Sequence, residues 1–275
     1  MLTDAERAFF EDNGYLVIHD AVPPAQCRAV IEAGFEFLEM DPANPDDWYR
    51  PPLTPGGMIE MFQHQALWNN RQSPRLYELF SDLWKTPRLW VSIDRANIKV
   101  PVRPDKPGWE NAGFLHLDAD LKQLRIQFGL QGVLYLADTA ANQGGFKCLP
   151  GWHTRTDEWV RLAGLPPAEF EQEVARLPVE AIPGRQGDFL VWHRALPHGN
   201  GRNLSTLPRF AQYISMRPAG HDPAVREDRV RRWRERLAPE APWVTGDPRR
   251  WEATKGTTAE LSPLGRKLLG LDAWN

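Results

Sequence analysis

The chain has 275 residues, and its 33 Lys and Arg against 36 Asp and Glu leave a net charge of −3, so no bulk basic field marks it for nucleic acid. With 42% hydrophobic and 25% charged residues it has the composition of a globular protein, which excludes a wholly disordered chain, a collagen-like repeat and a coiled-coil rod. No apolar run reaches the roughly 18 residues that span a bilayer, no basic stretch and apolar run open the chain, and Cys27 and Cys148 have no C-x-x-C spacing. These features predict a cytoplasmic protein with reduced thiols and no membrane partner; the oligomeric state is not legible. Two domains would fit the length, but β barrels and sandwiches reach this size as one unit, and a single domain over 1–275 is expected.

In chain order, Thr3 with Glu6 has the form of a capping box, Phe9 and Phe10 give an apolar side, and Gly14 stands at a C-cap, predicting a helix over 3–13. Tyr15 to Ile18 reads as a strand. Pro23-Pro24 then opens a helix carrying Val30, Ile31, Phe35 and Leu38 at helical spacing and ending near Met40. From 41 to 72 there are too many prolines and glycines for one element but too many aromatics for a free linker, which suggests an ordered lid or covering segment. Ser73-Pro74 starts a helix to about Lys85. Strands follow over 89–100, 128–136, 187–192 and 210–216, each bounded by turn formers. A helical pattern fills 154–177, and a charged helix over 223–237 precedes a tail rich in Pro and Trp. The expected plan is N-terminal helices over 1–87, a β core over 88–218 with the helical insertion 154–177, and a C-terminal helix and arm over 219–275. Short strands without regular strand-helix alternation point to a mainly β fold with flanking helices, a barrel or jelly roll. Neither G-x-G-x-x-G, nor a P-loop, nor G-x-S-x-G occurs, so dinucleotide, nucleotide and α/β-hydrolase readings lose their main support.

In the segment Phe114 to Asp118, His116 and Asp118 are two apart on an extended stretch, so both project to one side and can reach one metal ion. About one His-x-Asp/Glu pair is expected by chance among 7 His and 36 acidic residues, so the pair alone proves little. His198, about 80 residues later, completes two imidazoles and a carboxylate, the ligand set that suits non-haem Fe(II) and leaves coordination positions open. His193 competes for the third place, but only His198 is followed eleven residues on by an arginine, Arg209, able to make a bidentate pair with a carboxylate.

With these residues together, and with Phe9 to Ile18 and Gln143 to His153 beside them, the chain from about residue 6 to 218 resembles the phytanoyl-CoA dioxygenase family of Fe(II)- and 2-oxoglutarate-dependent oxygenases. The resemblance implies a double-stranded β-helix (a jelly-roll or cupin-like barrel), iron held by His116, Asp118 and His198, and Arg209 clamping the distal carboxylate of 2-oxoglutarate. Asn200 stands where such enzymes often turn a polar group to the same co-substrate; Asn97 and Lys99, alternating onto one strand face, are further candidates. The implied reaction consumes 2-oxoglutarate and O₂, yields succinate and CO₂, and by default hydroxylates an unactivated carbon of a small molecule. Asp118 argues against halogenation, which needs the carboxylate's place. The family pattern usually has a small residue before the loop histidine; here Trp152 precedes His153, and both are candidates for the substrate side.

Plainer readings stand beside these. His153 can be a loop histidine bonded to backbone, His64 a packing histidine, Arg202 an exposed charge, and the arginines of 226–236 a solvated face of ion pairs. Trp48, Trp68, Trp109 or Trp152 could line an apolar pocket, and the segment 41–72, the loop around 103–113 and the C-terminal arm are expected to close over the substrate. Two other functions remain open: a jelly-roll binding module without turnover, and a Zn²⁺ hydrolase using the same three ligands.

Overall fold

A computed structural model describes residues 1–118 and 126–274. Helix α1 (Asp4–Asn13) is capped as its sequence predicts: the Thr3 hydroxyl accepts from Glu6 N, the Glu6 carboxylate accepts from Thr3 N at 2.7 Å, and Gly14 at φ +75° closes the other end. Strand β1 (Tyr15–Ile18) follows, then α2 (Pro24–Leu38), α3 (Gln65–Arg71) and α4 (Pro74–Trp84). Next come β2 (Leu89–Val91), β3 (Ala96–Lys99), β4 (Leu130–Tyr135) and β5 (Phe146–Cys148). The helical insertion is α5 (Thr156–Ala163) and α6 (Pro167–Val174), leading to β6 (Glu180–Ala181), β7 (Phe189–His193), β8 (His198–Asn200), β9 (Arg209–Tyr213) and β10 (Met216–Pro218). The C-terminal arm carries α7 (Pro223–Glu235), α8 (Trp251–Lys255) and α9 (Pro263–Leu269).

The fold mixes helices with antiparallel sheets, in the orders β1-β7-β4-β9-β3, β6-β5-β8 and β10-β2. Alternation along β7 shows how the large sheet is used. Phe189 and Val191 join a core built with Val30, Phe37 and Leu38 of α2 and Leu76 and Phe80 of α4. Leu190 and Trp192 face the other way, packing with Tyr15, Val133 and Tyr135 against Phe146 and Cys148 of the small sheet. Helices α2 and α4 thus cover one side of the large sheet, and the small sheet faces the other, while α5 and α6 pack in a separate cluster with Leu115, Leu149 and Trp152.

Three expectations are corrected. The strand expected over 89–100 is two strands in different sheets, because the buried Arg71 guanidinium takes the Asp94 carbonyl as its acceptor and so removes it from the ladder; the partner segment breaks likewise between Tyr213 and Met216. The segment 41–72 is mainly core wall, with Trp48, Leu53, Ile59, Met61, Leu67 and Trp68 buried in the main cluster, while Met58 lines the cavity bordered by His116 and His198. And α7 is not simply a solvated face. Arg226, Arg229 and Arg236 donate to the carbonyls of Gly270, Leu269 and Glu252, tying the arm down, and Arg232 is buried between Asp228 and Glu240. Among the described residues no helix is long and apolar enough to cross a membrane.

Candidate metal and co-substrate site

His116 and His198 are direct partners across an antiparallel bridge that adds the 114–117 segment to β8, with His116 N to His198 O at 2.9 Å and His198 N to His116 O at 3.0 Å. Gly199 lets the two backbones meet, since a Cβ there would stand 2.2 Å from the Phe114 carbonyl oxygen. Each imidazole is oriented from behind: His116 Nδ1 lies 3.1 Å from Phe114 O and His198 Nδ1 2.9 Å from Leu196 O, so Nδ1 donates and Nε2 is left as a lone pair. Both Nε2 atoms turn to Asp118, at 3.4 Å from Oδ1 and 3.6 Å from Oδ2. One ligand atom from each residue lies within 4.8 Å of the others.

Three electron-pair donors facing one another need a cation between them, and two imidazoles with one carboxylate fit a divalent transition metal. The electrostatics agree. Without a bound cation the same groups share protons instead: hydrogen bonds from protonated His116, then His198, hold the Asp118 carboxyl far below its usual range, and Asp118 in turn raises His116, so the three favour positive charge at this point. Gln131 Nε2 donates to Asp118 Oδ2 at 2.6 Å and Arg194 Nη2 to the Asp118 carbonyl at 2.8 Å, fixing the carboxylate from outside the donor set. Phe146 stacks on His198 with centroids 5.8 Å apart and planes at 13°, and Trp192 packs at 5.0 Å.

Arg209 opens β9, 1% exposed, and borders the same cavity of about 720 Å³ as the three donors. Its Nη1 donates to Asn97 Oδ1 at 3.0 Å and its Nη2 to Asn200 Oδ1 at 2.7 Å, while Nε has no acceptor among the described residues. Among the described residues no carboxylate lies within ion-pair distance of it. A buried guanidinium held only by two neutral amides keeps its charge for an anion, and a keto acid's carboxylate fits.

Of the other expected site residues, Asn97 and Asn200 both orient Arg209, and Lys99 is buried beside it in the β3–β9 register, pushed down to about 8 by burial and by the Arg209 charge. Lys99 does not line the cavity. Trp152 and His153 are not there either, which corrects the substrate-side reading. Trp152 packs against Trp159 with the Arg155 guanidinium over its ring, and His153 Nε2 meets Glu11 O at 3.1 Å behind α1. His193 packs against His153 and takes a hydrogen bond from Ala195 N, away from the three donors. His64 caps α3 by accepting from Ala66 N, and Arg202 pairs with Glu110 on a loop. None of Trp48, Trp68, Trp109 or residues 103–113 lines the cavity; Trp192 and Trp243 do. Gln131, Arg194 and Trp243 were missed because nothing local marks them. For Gln131 and Trp192 a signal existed only in register: they are cross-strand partners of β4 and β7 on the cavity side.

Residues 10–211 match the family model described as Phytanoyl-CoA dioxygenase (PhyH), and the chain belongs to that family. A Dictyostelium discoideum protein whose name carries the same family is 27% identical over 268 residues, covering 79% of this chain and 76% of its own. In fold, the chain is similar to EvdO2 from Micromonospora carbonacea var. aurantiaca complexed with 2-oxoglutarate (TM-score 0.56, 20% identity, 81% of this chain and 95% of that one). It is also similar to SnoN, a non-heme alpha ketoglutarate dependent epimerase from nogalamycin biosynthesis (TM-score 0.57, 17% identity, 78% and 83%).

Proposed function

We propose that the chain is an Fe(II)- and 2-oxoglutarate-dependent dioxygenase, built on a double-stranded β-helix, that oxidises an unactivated C–H of a small molecule. The balance is substrate C–H, 2-oxoglutarate and O₂ to C–OH, succinate and CO₂. The observation that carries this reading is one cavity holding both a converged His116, Asp118 and His198 donor set and the uncompensated Arg209 guanidinium. EvdO2 binds 2-oxoglutarate on a similar fold.

Ferrous iron, when bound, supplies the O₂ chemistry that couples keto-acid decarboxylation to substrate oxidation. The protein's own part is positioning. His116, Asp118 and His198 hold the ion on one side, Arg209 takes the distal carboxylate of the keto acid, and Asn97 and Asn200 hold the guanidinium in its plane. Val133, Phe146 and Trp192 keep water from the inner wall. The buried thiols Cys27 and Cys148 suit a cytoplasmic setting, and the partner is a small molecule.

The test is succinate formation from 2-oxoglutarate by the purified chain with Fe(II) under air. Turnover that needs Zn²⁺ and no O₂ would replace the reading by a hydrolase, and ligand binding with neither activity would leave a binding module.

A further inference from the structure

Beyond the three donors the cavity wall passes to Asp94, Tyr213, Ser215 and Trp243, all but Asp94 lying past the residues the family model matches. Asp94, Ser215 and Trp243 also line an adjoining cavity of about 760 Å³, so they form a throat between the two spaces. Asp94 Oδ1 accepts from Arg95 N at 2.8 Å, whereas Oδ2 accepts no hydrogen bond among the described residues, and the side chain is 34% exposed where it borders the cavities.

Among the described residues Arg95 is the one cation within ion-pair distance of the Asp94 carboxylate, and it is already committed. Arg95 has its Nε 3.7 Å from Asp94 Oδ1, but its terminal nitrogens pair with Glu60 and donate to the Trp243 carbonyl at 3.3 Å. The second Glu60 oxygen accepts from Gly246 N at 2.8 Å, so this ion pair clamps the 243–246 loop and sets the Trp243 indole, 66% exposed, at the throat. Of the other arginines described along the two cavities besides Arg209, Arg194 donates to the Asp118 carbonyl, Arg229 to the Leu269 carbonyl, and Arg231 and Arg232 pair with Asp228, while Arg217 lines the adjoining cavity.

We propose that Asp94 and Trp243 form a substrate-recognition subsite for a protonated amine, the carboxylate taking its N–H bonds and the indole face its charge, so that distance from the ammonium selects the carbon presented to the metal. The selection of a carbon rests on the oxygenase reading; the amine subsite does not.

The test titrates hexylammonium, hexanol and hexanoate, equal in carbon number, into the full chain by calorimetry near neutral pH. Hexylammonium is expected to bind at least about tenfold more tightly than the other two, a preference that Asp94→Asn abolishes and Trp243→Ala reduces several-fold. Asp94→Asn keeps the acceptor for Arg95 N, and thermal melting checks its fold. Should that variant fail to fold, Trp243→Ala at a mostly exposed position decides alone, and an unchanged preference there overturns the subsite. The titrations are made with 2-oxoglutarate present to fill the Arg209 site; equal binding of the three probes under that condition overturns the subsite, as does tighter hexanoate. Succinate formation is measured separately, so the oxygenase reading and the amine subsite stand or fall independently.

Discussion

Asn97 and Arg209 lie on neighbouring strands two residues out of register, and the Asn97 amide oxygen accepts a 3.0 Å hydrogen bond from Arg209 Nη1. The asparagine is itself fixed from behind, its Nδ2 donating to Gly56 O at 2.9 Å. Such a contact positions the guanidinium without touching the anion. Arg209→Ala is expected to raise the KM for 2-oxoglutarate by two orders of magnitude or more, since a charge-assisted bidentate contact contributes roughly 2 to 4 kcal/mol. Asn97→Ala should raise it about tenfold, for a loss of about 1.4 kcal/mol, with kcat nearly unchanged. Steady-state kinetics in 2-oxoglutarate distinguish them; a collapse of kcat in Asn97→Ala would mean that the residue acts on the chemistry instead.

The donor set predicts a split between function and stability. The His116 and Asp118 side chains are 36% and 45% exposed, so replacing either by Ala opens little of the core. Both variants should lose turnover and bound metal while melting within a few degrees of the parent. His198→Ala should also cost stability, because its ring is 6% exposed and packs between Phe146 and Trp192. Metal content after Fe(II) or Mn²⁺ loading, read beside thermal melts, checks this; a chelator should reproduce the activity loss in the parent chain without unfolding it.

Gln131 gives a subtler case. Its amide donates to Asp118 Oδ2, the oxygen that also faces His198, and thereby orders the carboxylate before any metal arrives. Gln131→Ala should weaken metal affinity 10- to 100-fold, the usual scale for a group supporting a ligand, and leave the Arg209-dependent KM in place. Metal titration followed by calorimetry reads the first effect. Affinity equal to the parent's would show that Arg194 and the backbone suffice to hold Asp118.

The features legible in the sequence are those set by near neighbours. Thr3, Glu6 and Gly14 specify α1 through contacts within one helix, and His116 with Asp118 specify one side of an extended segment by the two-residue repeat. Whatever depends on distant partners was not legible. The break at Ser92–Arg95 depends on Arg71, twenty-three residues before the carbonyl it takes, and His153 is drawn to Glu11 O only because α1 packs there. Trp243 reaches the cavity through Arg95 and Glu60, which no local pattern connects to it.

Glu252 makes the attachment of the C-terminal arm depend on pH. From α8 its carboxylate accepts from Phe62 N at 2.6 Å and from Gln63 N at 2.7 Å, bonding the arm to the wall just before α3. Burial pushes this carboxyl up to about 7, and the two amides pull it down only in part. Because the folded value lies above the unfolded one, the fold favours the protonated acid: that stability is fully present below about 4.5 and is lost as pH rises through about 7. The shift corresponds to a contribution of about 3 kcal/mol across the window. Glu252→Gln cannot ionise and should show a flatter dependence, even if it is less stable at every pH for having one oxygen acceptor where the carboxylate has two. Denaturant unfolding of both proteins at pH 5 and pH 8 measures the difference. Parallel profiles would show that water or a local rearrangement solvates the carboxylate, and the arm would then be held independently of pH.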